Sequence, residues 1–276
     1  MRILISADME GATGVTWPAD VLPGTPQWER FRRPFTSDVN AAVLGFFDGG
    51  ADEVLINEAH MSMRNLLLEE LDPRADMLTG RHKELSMMEG IDSGVDAVAF
   101  IGYHAGAGQQ GVLAHTYLTN TITGVWLDGD PASEGWLNAA LAAEFGVPVI
   151  LVTGDDECAK DAARYAPHAE AVVVKRCVSR YAAICHPPQR TATDIRAAAA
   201  KAIARAGRSA DPIARPHRIE IEFDATHPAL AASAVPTVER IGDRRIGFDA
   251  GTMRAAMLCF KVVTSIAGGS VENEYG

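Results

Sequence analysis

The chain contains 276 residues, of which 47% are hydrophobic and 22% charged, so it can bury a sizeable core in one large domain or two unequal ones. This composition excludes an intrinsically disordered protein. The 36 acidic residues outnumber the 25 basic ones, giving a formal charge of −11, and no basic stripe is present, so nucleic acid and anionic membranes are not expected as partners.

The N-terminus runs directly into a short apolar segment, residues 2–7. A signal peptide needs a longer apolar core and a small-residue cleavage site. No apolar run approaches the roughly 18 residues of a membrane helix. We therefore expect a soluble, cytoplasmic protein, and we expect buried free thiols at its four widely spaced cysteines, Cys158, Cys177, Cys185 and Cys259.

Short apolar runs predict the strands of the fold. They are residues 2–7 (RILISA), 53–57 (EVLIN), 97–102 (AVAFIG) and 147–153 (VPVILVT). Each run is mostly continuous in apolar residues, which is typical of a strand covered on both faces. Because helical patterns lie between the runs, the sequence predicts an α/β fold with a mostly parallel sheet flanked by helices.

Helix signals separate these strands. A Thr-Ser-Asp start signal at 36–38 precedes apolar residues at helical spacing over 39–47, and two glycines end the pattern. A second helix is expected to open at Asp130-Pro131 and to stop at Gly146. A third is expected to begin near Asp155, directly after the fourth strand.

The last third of the chain has a different pattern. An Ala-rich helix is predicted over 191–206, followed by a polar, Pro-containing linker over 207–217. Apolar and acidic residues alternate over 219–223, which indicates a half-exposed, antiparallel strand. The segments 238–248 and 252–267 predict a further strand and a closing helix. This part is therefore expected to be a smaller C-terminal α+β portion.

Polar side chains follow the first three predicted strands. Asp8 and Glu10 come after the first, His60 after the second and His104 after the third. The carboxyl ends of parallel strands meet at one edge of a sheet, where open α/β folds bind ligands. Carboxylate and imidazole groups suit Zn²⁺, Mn²⁺ or Co²⁺, and a carboxylate can bridge two ions about 3.5–4 Å apart. The set therefore predicts a metal site.

Each of these residues taken alone has a simpler explanation. Asp8 and Glu10 could cap the turn after the strand, and a single histidine is more often a hydrogen-bonded loop residue than a ligand. Glu134 lies in the first turn of a helix, where any carboxylate is favoured by the dipole. His115 could act as a general acid or base beside a metal, or could be a histidine in an apolar stretch. The metal site is favoured because the simpler explanations would all have to hold at one sheet edge.

Other catalytic motifs are weak or absent. Residues 106–111 match G-x-G-x-x-G, but β-branched residues follow instead of the helix that a dinucleotide site requires, so we reject a nucleotide. The sequence contains no G-x-S-x-G, H-E-x-x-H or zinc-deaminase signature. Metal-activated water is therefore the expected nucleophile.

Several blocks of the sequence combine these candidate site residues with characteristic neighbours. They are residues 6–11 (SADMEG), 54–60 (VLINEAH), 102–105 (GYHA), 111–115 (GVLAH), 133–139 (SEGWLNA) and 148–156 (PVILVTGDD), with Lys175 and Ser179-Arg180. These blocks resemble the D-aminopeptidase family of M55 metallopeptidases. The blocks keep the same order over about two thirds of the chain, whereas the C-terminal third matches poorly. Together they are specific, although any one alone would be weak.

The resemblance implies two Zn²⁺ per subunit, with Mn²⁺ or Co²⁺ as alternative ions, held by Asp8, Glu10, His60, His104 and Glu134. It also implies a catalytic role for His115, short peptides as substrates, and a homo-oligomer, namely a decamer of two pentameric rings. We accordingly predict a metal-binding catalytic domain over 1–175. The smaller portion, 176–276, is predicted to contribute to the substrate site or to oligomer contacts.

The predicted function is a dinuclear zinc aminopeptidase that removes N-terminal D-amino acids from short peptides. One alternative is a metal-dependent hydrolase of another amide or of a phosphate ester. A phosphoesterase would be expected to place Arg or Lys at the strand ends, which are instead acidic and histidine-bearing. The other alternative is a non-catalytic module of the same fold that binds a metal or a peptide.

Overall fold

The computed structural model describes residues 1–207, 210 and 217–272. The strands are β1 (Arg2–Ala7), β2 (Glu53–Glu58), β3 (Ala75–Leu78), β4 (Ala97–Ile101), β5 (Ile122–Leu127), β6 (Asp130–Pro131), β7 (Val149–Asp155), β8 (Glu170–Ser179), β9 (Ala182–Cys185), β10 (His217–Phe223), β11 (Glu239–Arg240) and β12 (Arg245–Ala250). The helices are α1 (Pro18–Val21), α2 (Pro26–Asp48), α3 (Glu134–Glu144), α4 (Asp156–Tyr165), α5 (Pro188–Ala202), α6 (Thr226–Ala232) and α7 (Met253–Gly269).

Seven strands form the main sheet, in the order β3-β2-β1-β4-β7-β8-β9. All neighbours are parallel except β9, which is antiparallel to β8. The predicted α/β class with a mostly parallel sheet is therefore confirmed. Ala7 pairs with Glu58 on one side and with Ile101 on the other, so β1, β2 and β4 end at the same level. The strand order reverses between β1 and β4, and ligands bind at such a point in open α/β sheets.

A second, antiparallel sheet has the order β11-β12-β10-β5-β6. Along β10, Ile219, Ile221 and Phe223 are fully buried under α6 and α7, and the residues between them are partly exposed, as the alternating pattern predicts. This sheet pairs β5 and β6, from residues 122–131, with strands from the last part of the chain, the first of which begins at His217. The division of the chain near residue 175 stays a prediction. Most of the predicted linker 207–217 lies outside the described residues.

The predicted start of the helix over 39–47, which corresponds to α2, is wrong. The helix α2 begins at Pro26, where the hydroxyl of Thr25 accepts a hydrogen bond from the backbone of Trp28. Asp38, which resembled part of a start signal, lies inside the helix, and its carboxylate accepts hydrogen bonds from the backbone and hydroxyl of Thr13 at 2.8 Å each. A local sequence pattern that resembles a capping signal cannot reveal that the carboxylate of Asp38 accepts hydrogen bonds from a distant loop.

Two further predictions need correction. Asp130-Pro131 does not open a helix, because these residues form the short strand β6, and α3 begins at Glu134 with Ser133 as its cap. All four cysteines are free, as predicted. Their predicted burial is correct only for Cys158, and Cys185 is exposed. The other predicted helices are present, with ends shifted by a few residues.

Close packing of α2 against α5 depends on a glycine. A Cβ atom at Gly45 would lie 2.2 Å from the carbonyl oxygen of Arg196 and 2.7 Å from the Cβ of Ala199. Both distances are far below van der Waals contact, so the two helix backbones approach this closely because position 45 has no side chain. No helix in the described part of the chain is long and apolar enough to cross a membrane.

We expect Gly45→Ala to destabilise the fold by about 1–3 kcal/mol, the usual cost of overpacking. Helix propensity alone predicts the opposite sign, a gain of about 1 kcal/mol. Gly269→Ala is the matched control, since a Cβ there meets open space near the end of α7. Urea unfolding measures both free energies. A Gly45→Ala variant as stable as the wild type would show that this helix contact is looser than described.

Candidate metal centre

The six predicted site residues come from four separate segments of the chain and meet at the carboxyl end of the main sheet. Asp8 directly follows β1, His60 lies two residues after β2, and His104 lies three residues after β4. Glu134 is the first residue of α3. All six side chains are buried, including those of Glu10 and His115. A parallel sheet produces this convergence because its strands all end at one edge.

Carboxylates and imidazoles alternate through the centre. His60 Nδ1 lies 2.9 Å from Glu10 Oε2 and 3.4 Å from Asp8 Oδ1. His104 Nε2 lies 3.3 Å from Asp8 Oδ2 and 3.8 Å from Glu134 Oε2. The structure thus brings together all five residues that the family resemblance implies as ligands, and their role as ligands stays a prediction.

His115 reaches the same cluster from the segment between β4 and β5, residues 102–121, in which the structure has no helix. Its Nε2 lies 3.9 Å from Glu10 Oε1 and 3.8 Å from Glu134 Oε1. Its ring stacks on that of His104, with the centroids 4.3 Å apart. Two overlapping sets of side chains could each hold an ion, namely Asp8, Glu10 and His104, and His104, His115 and Glu134.

Three buried polar atoms of the centre have no hydrogen-bond partner, and a bound cation could serve as their partner. Among the described residues, Asp8 Oδ2, Glu10 Oε2 and His104 Nε2 are buried and have no partner in hydrogen-bond geometry. Leaving such groups unsatisfied is costly in a protein interior, and few natural proteins do so. All three atoms face the shared space between the carboxylates and imidazoles. They therefore fit a divalent ion with oxygen and nitrogen ligands.

Each histidine of the centre is oriented by a backbone carbonyl. The contacts run from His60 Nε2 to Val21 O at 2.8 Å, from His104 Nδ1 to Ala105 O at 2.9 Å and from His115 Nδ1 to Leu113 O at 2.9 Å. A carbonyl oxygen only accepts, so the ring nitrogen in each contact carries the proton. The other nitrogen of each ring is then free to face the carboxylates, as metal-ligating histidines require.

The pKa shifts in the centre show how strongly the buried charges act on one another. Burial acts to lower the pKa of His104, but the carboxylates of Glu134 and Asp8 raise it to about 10. Burial raises the pKa of Glu134. Burial and the neighbouring His104 lower the pKa of His115 to about 4. Metal ions can replace protons in such a cluster, because the charge of the ions stabilises the same carboxylates.

A buried lysine holds the loop that carries Glu10. Lys175 lies in β8 and is fully buried, and its Nζ donates hydrogen bonds to the carbonyl oxygens of Glu10 at 2.6 Å, Ala12 at 2.9 Å and Val15 at 2.7 Å. These three bonds use all the donors of the ammonium group. Burial lowers its pKa to about 8. The lysine therefore fixes the loop that leads away from Asp8.

Strained backbone flanks two of the histidines. Met61, directly after His60, has a φ of 43°, and Leu113 and Tyr117, on either side of His115, have φ values of 54° and 56°. Non-glycine residues seldom adopt this left-handed region, and those that do are concentrated at functional sites. The conformation at Tyr117 has a clear consequence, because its backbone N–H donates to Glu134 Oε1 at 2.7 Å.

Sequence patterns did not reveal the contacts that hold these residues in place. Lys175 matched the family pattern, but no role could be assigned to it. The available signal was a lysine that interrupts an apolar run, Ala171 to Val174, in a chain that contains only five lysines. Asp155 caps α4 as predicted, since its Oδ1 accepts from the backbone of Cys158, but its Oδ2 also accepts a 2.6 Å hydrogen bond from the backbone of Val112, in the loop of His115.

We expect Lys175→Met to destabilise the protein by at least about 3 kcal/mol, since each buried carbonyl left without a donor costs about 1–3 kcal/mol. The matched control is Lys201→Met, which removes an exposed ion pair with Glu170 and should cost less than about 1 kcal/mol. Urea unfolding of both variants compares them. Equal, small losses would mean that the lysine does not hold the loop.

Comparison with known proteins agrees with this centre. The Peptidase_M55 family model, described as D-aminopeptidase, matches residues 1–262 and so extends into the C-terminal third. The D-aminopeptidase of Bacillus subtilis (strain 168) is 33% identical over 270 residues, which cover 97% of this chain and 98% of that protein. The solved structure of the Zn-dependent D-aminopeptidase DppA from Bacillus subtilis, a self-compartmentalizing protease, matches with a TM-score of 0.91 at 32% identity, over 97% of this chain and 98% of that one. The chain therefore belongs to the M55 family of D-aminopeptidases, as its motifs indicate.

Proposed function

We propose that this protein is a zinc aminopeptidase that uses two ions per subunit to remove N-terminal D-amino acids from short peptides. The observation that carries the proposal is the convergence of three buried carboxylates and three oriented histidines around atoms that lack partners. Family membership makes the protein a hydrolase of the metallo-aminopeptidase type. The zinc dependence and the D-substrate of the relatives support the finer assignment.

The charge of the ligand set supports two ions. Asp8, Glu10 and Glu134 contribute −3, and His60 and His104 are neutral when they act as ligands. Two zinc ions contribute +4, so a net positive charge remains to attract the developing oxyanion of the reaction. When bound, zinc supplies Lewis acidity, which polarises the scissile carbonyl and activates a water molecule for attack.

His115 is the proton carrier in this proposal. Its Nδ1 proton is held by the carbonyl of Leu113, so its Nε2 is an unprotonated base that points between Glu10 and Glu134. Burial lowers its pKa, which favours the neutral ring that a general base requires. It can accept a proton from the attacking water and return it to the leaving amine.

The assembly and location are proposed from the relatives and from the cysteines. The matched Bacillus subtilis enzyme is a self-compartmentalizing protease. We extend this to the present chain as a homo-oligomer, with a decamer of two pentameric rings as the specific arrangement. Such an enclosure would restrict access to short peptides. A cytoplasmic location is proposed because the chain has four cysteines and all of them are free.

The first test is metal content together with activity on paired substrates. Protein purified without chelator is expected to carry about two equivalents of zinc per chain. It should hydrolyse D-aminoacyl amides and D-residue dipeptides faster than the L-forms. A chelator should abolish turnover and added zinc should restore it.

The possible failures of this test point to different conclusions. Two bound metals without aminopeptidase activity would keep the site and move the function to another hydrolysis. Absence of bound metal under every loading condition would contradict the proposed mechanism.

A second test separates the role of His115 from that of the ligands. His115→Ala is expected to lower kcat by at least about 100-fold, the usual contribution of general acid–base catalysis, while zinc content stays unchanged. His168→Ala, at an exposed position, is the matched control and should behave like the wild type. Loss of one zinc from His115→Ala would instead make this residue a ligand. Unchanged turnover would remove it from the mechanism.

A further inference from the structure

A buried chain of hydrogen bonds lies directly behind the metal centre. Asn138 Nδ2 lies 2.9 Å from the hydroxyl of Tyr103, which lies 2.6 Å from Ser6 Oγ, which in turn lies 2.7 Å from the carbonyl oxygen of Met87. The side chains of Ser6, Tyr103 and Asn138 are at most 1% exposed. The chain is therefore shielded from water along its whole length.

The direction of every bond in this chain follows from its two ends. The carbonyl of Met87 only accepts, so the Ser6 hydroxyl must donate to it and can then only accept from Tyr103. The Asn138 amide nitrogen only donates, so the Tyr103 oxygen accepts from it while donating its own proton to Ser6. One arrangement of protons satisfies all these groups, which makes the chain a rigid link rather than a set of rotating hydroxyls.

Each of the three side chains in the chain of hydrogen bonds lies close in sequence to a proposed ligand. Residues two apart on a strand and four apart on a helix share a face, and residues adjacent in sequence share a backbone. The three pairs are Ser6 in β1 with Asp8 directly after it, Tyr103 with His104 after β4, and Asn138 with Glu134 in α3. The hydrogen bonds thus join the carriers of these three ligands to one another.

The tyrosine at the middle of the chain is itself held firmly. Its ring stacks on Phe100, with centroids 4.4 Å apart and planes 12° from parallel. Its carbonyl oxygen is packed so closely that a Cβ atom on Gly11 would lie 1.9 Å from it, and one on Gly154 would lie 2.3 Å from it. Because both the ring and the backbone are fixed, a displacement of Ser6 or Asn138 cannot be absorbed at Tyr103.

We propose that Ser6, Tyr103 and Asn138 are positioning residues that set the mutual distances of Asp8, His104 and Glu134, and thereby the zinc affinity of the centre. This inference rests on the proposed metal site. The other two ligands are held differently. The loop of Glu10 is bound by Lys175, and His60 donates to the carbonyl of Val21. The chain therefore acts selectively on three of the five ligands.

The test removes single groups from the chain and measures zinc binding directly. Tyr103→Phe, Ser6→Ala and Asn138→Ala should each weaken zinc affinity by about 10–100-fold, the usual effect of losing a group that orients metal ligands. Affinity is measured by competition with a chromogenic chelator. The absorption spectrum of the Co²⁺-substituted protein reports the ligand geometry and should change in each variant. A purely stabilising role would leave this spectrum unaltered.

Two controls make the result specific. Thr264→Val removes a buried hydroxyl that donates to the carbonyl of Phe260 at 2.8 Å in α7, and it should keep the wild-type affinity and spectrum. The double variant Tyr103→Phe with Asn138→Ala should bind zinc about as well as Tyr103→Phe alone, because the link is already broken. If Tyr103→Phe does not fold, the Ser6 and Asn138 variants carry the same comparison.

The outcomes distinguish this inference from the metal site on which it rests. Wild-type affinity and an unchanged Co²⁺ spectrum in the chain variants, together with loss of metal in His104→Ala, would overturn the positioning role and leave the site intact. A wild-type protein that binds neither Zn²⁺ nor Co²⁺ would overturn the metal site itself. Additive losses in the double variant would show that the residues act separately rather than as a chain.

Discussion

Three buried carboxylates at one end of a sheet are the constraint on which the rest of this structure depends. Asp8, Glu10 and Glu134 are each at most 5% exposed. Their mutual repulsion and their lost hydration would be prohibitive without compensating positive charge. The carboxylates raise the pKa values of His60 and His104 against the effect of burial, which shows that the cluster favours positive charge. The two divalent ions of the proposed centre would supply more positive charge than these histidines can.

The sheet makes this arrangement possible because it fixes the backbone from which several of the site residues extend. The strands β1, β2 and β4 end at one level, so Asp8, His60 and His104 begin from adjacent, rigid positions. The remaining freedom lies in loops, and buried polar contacts remove it. Lys175 binds three carbonyls of the first loop, and the backbone of Tyr117 holds one oxygen of Glu134. The centre is therefore preorganised by groups that need not touch the substrate.

The sequence predicted the main features of the fold and part of the site. Continuous apolar runs located four strands of the main sheet to within a few residues, and the rule that parallel strands end together placed Asp8 beside His104. Glu134 could be added only through the family resemblance, since a carboxylate in the first turn of a helix has an ordinary explanation. The start of α2 was predicted wrongly because a capping signal is local, whereas Asp38 bonds to Thr13 across the fold.

The sequence by itself determined the class of the fold, the edge at which the site residues gather and the chemical type of their side chains. These depend on hydrophobic periodicity and on residue types at strand ends, which are local properties of the chain. Only the tertiary structure decided which contacts surround these residues, namely the hydrogen bonds of Lys175 to the first loop and the link from Asn138 through Tyr103 to Ser6. Such contacts join residues up to 165 positions apart, and one sequence has no local pattern that records a pairing over that distance.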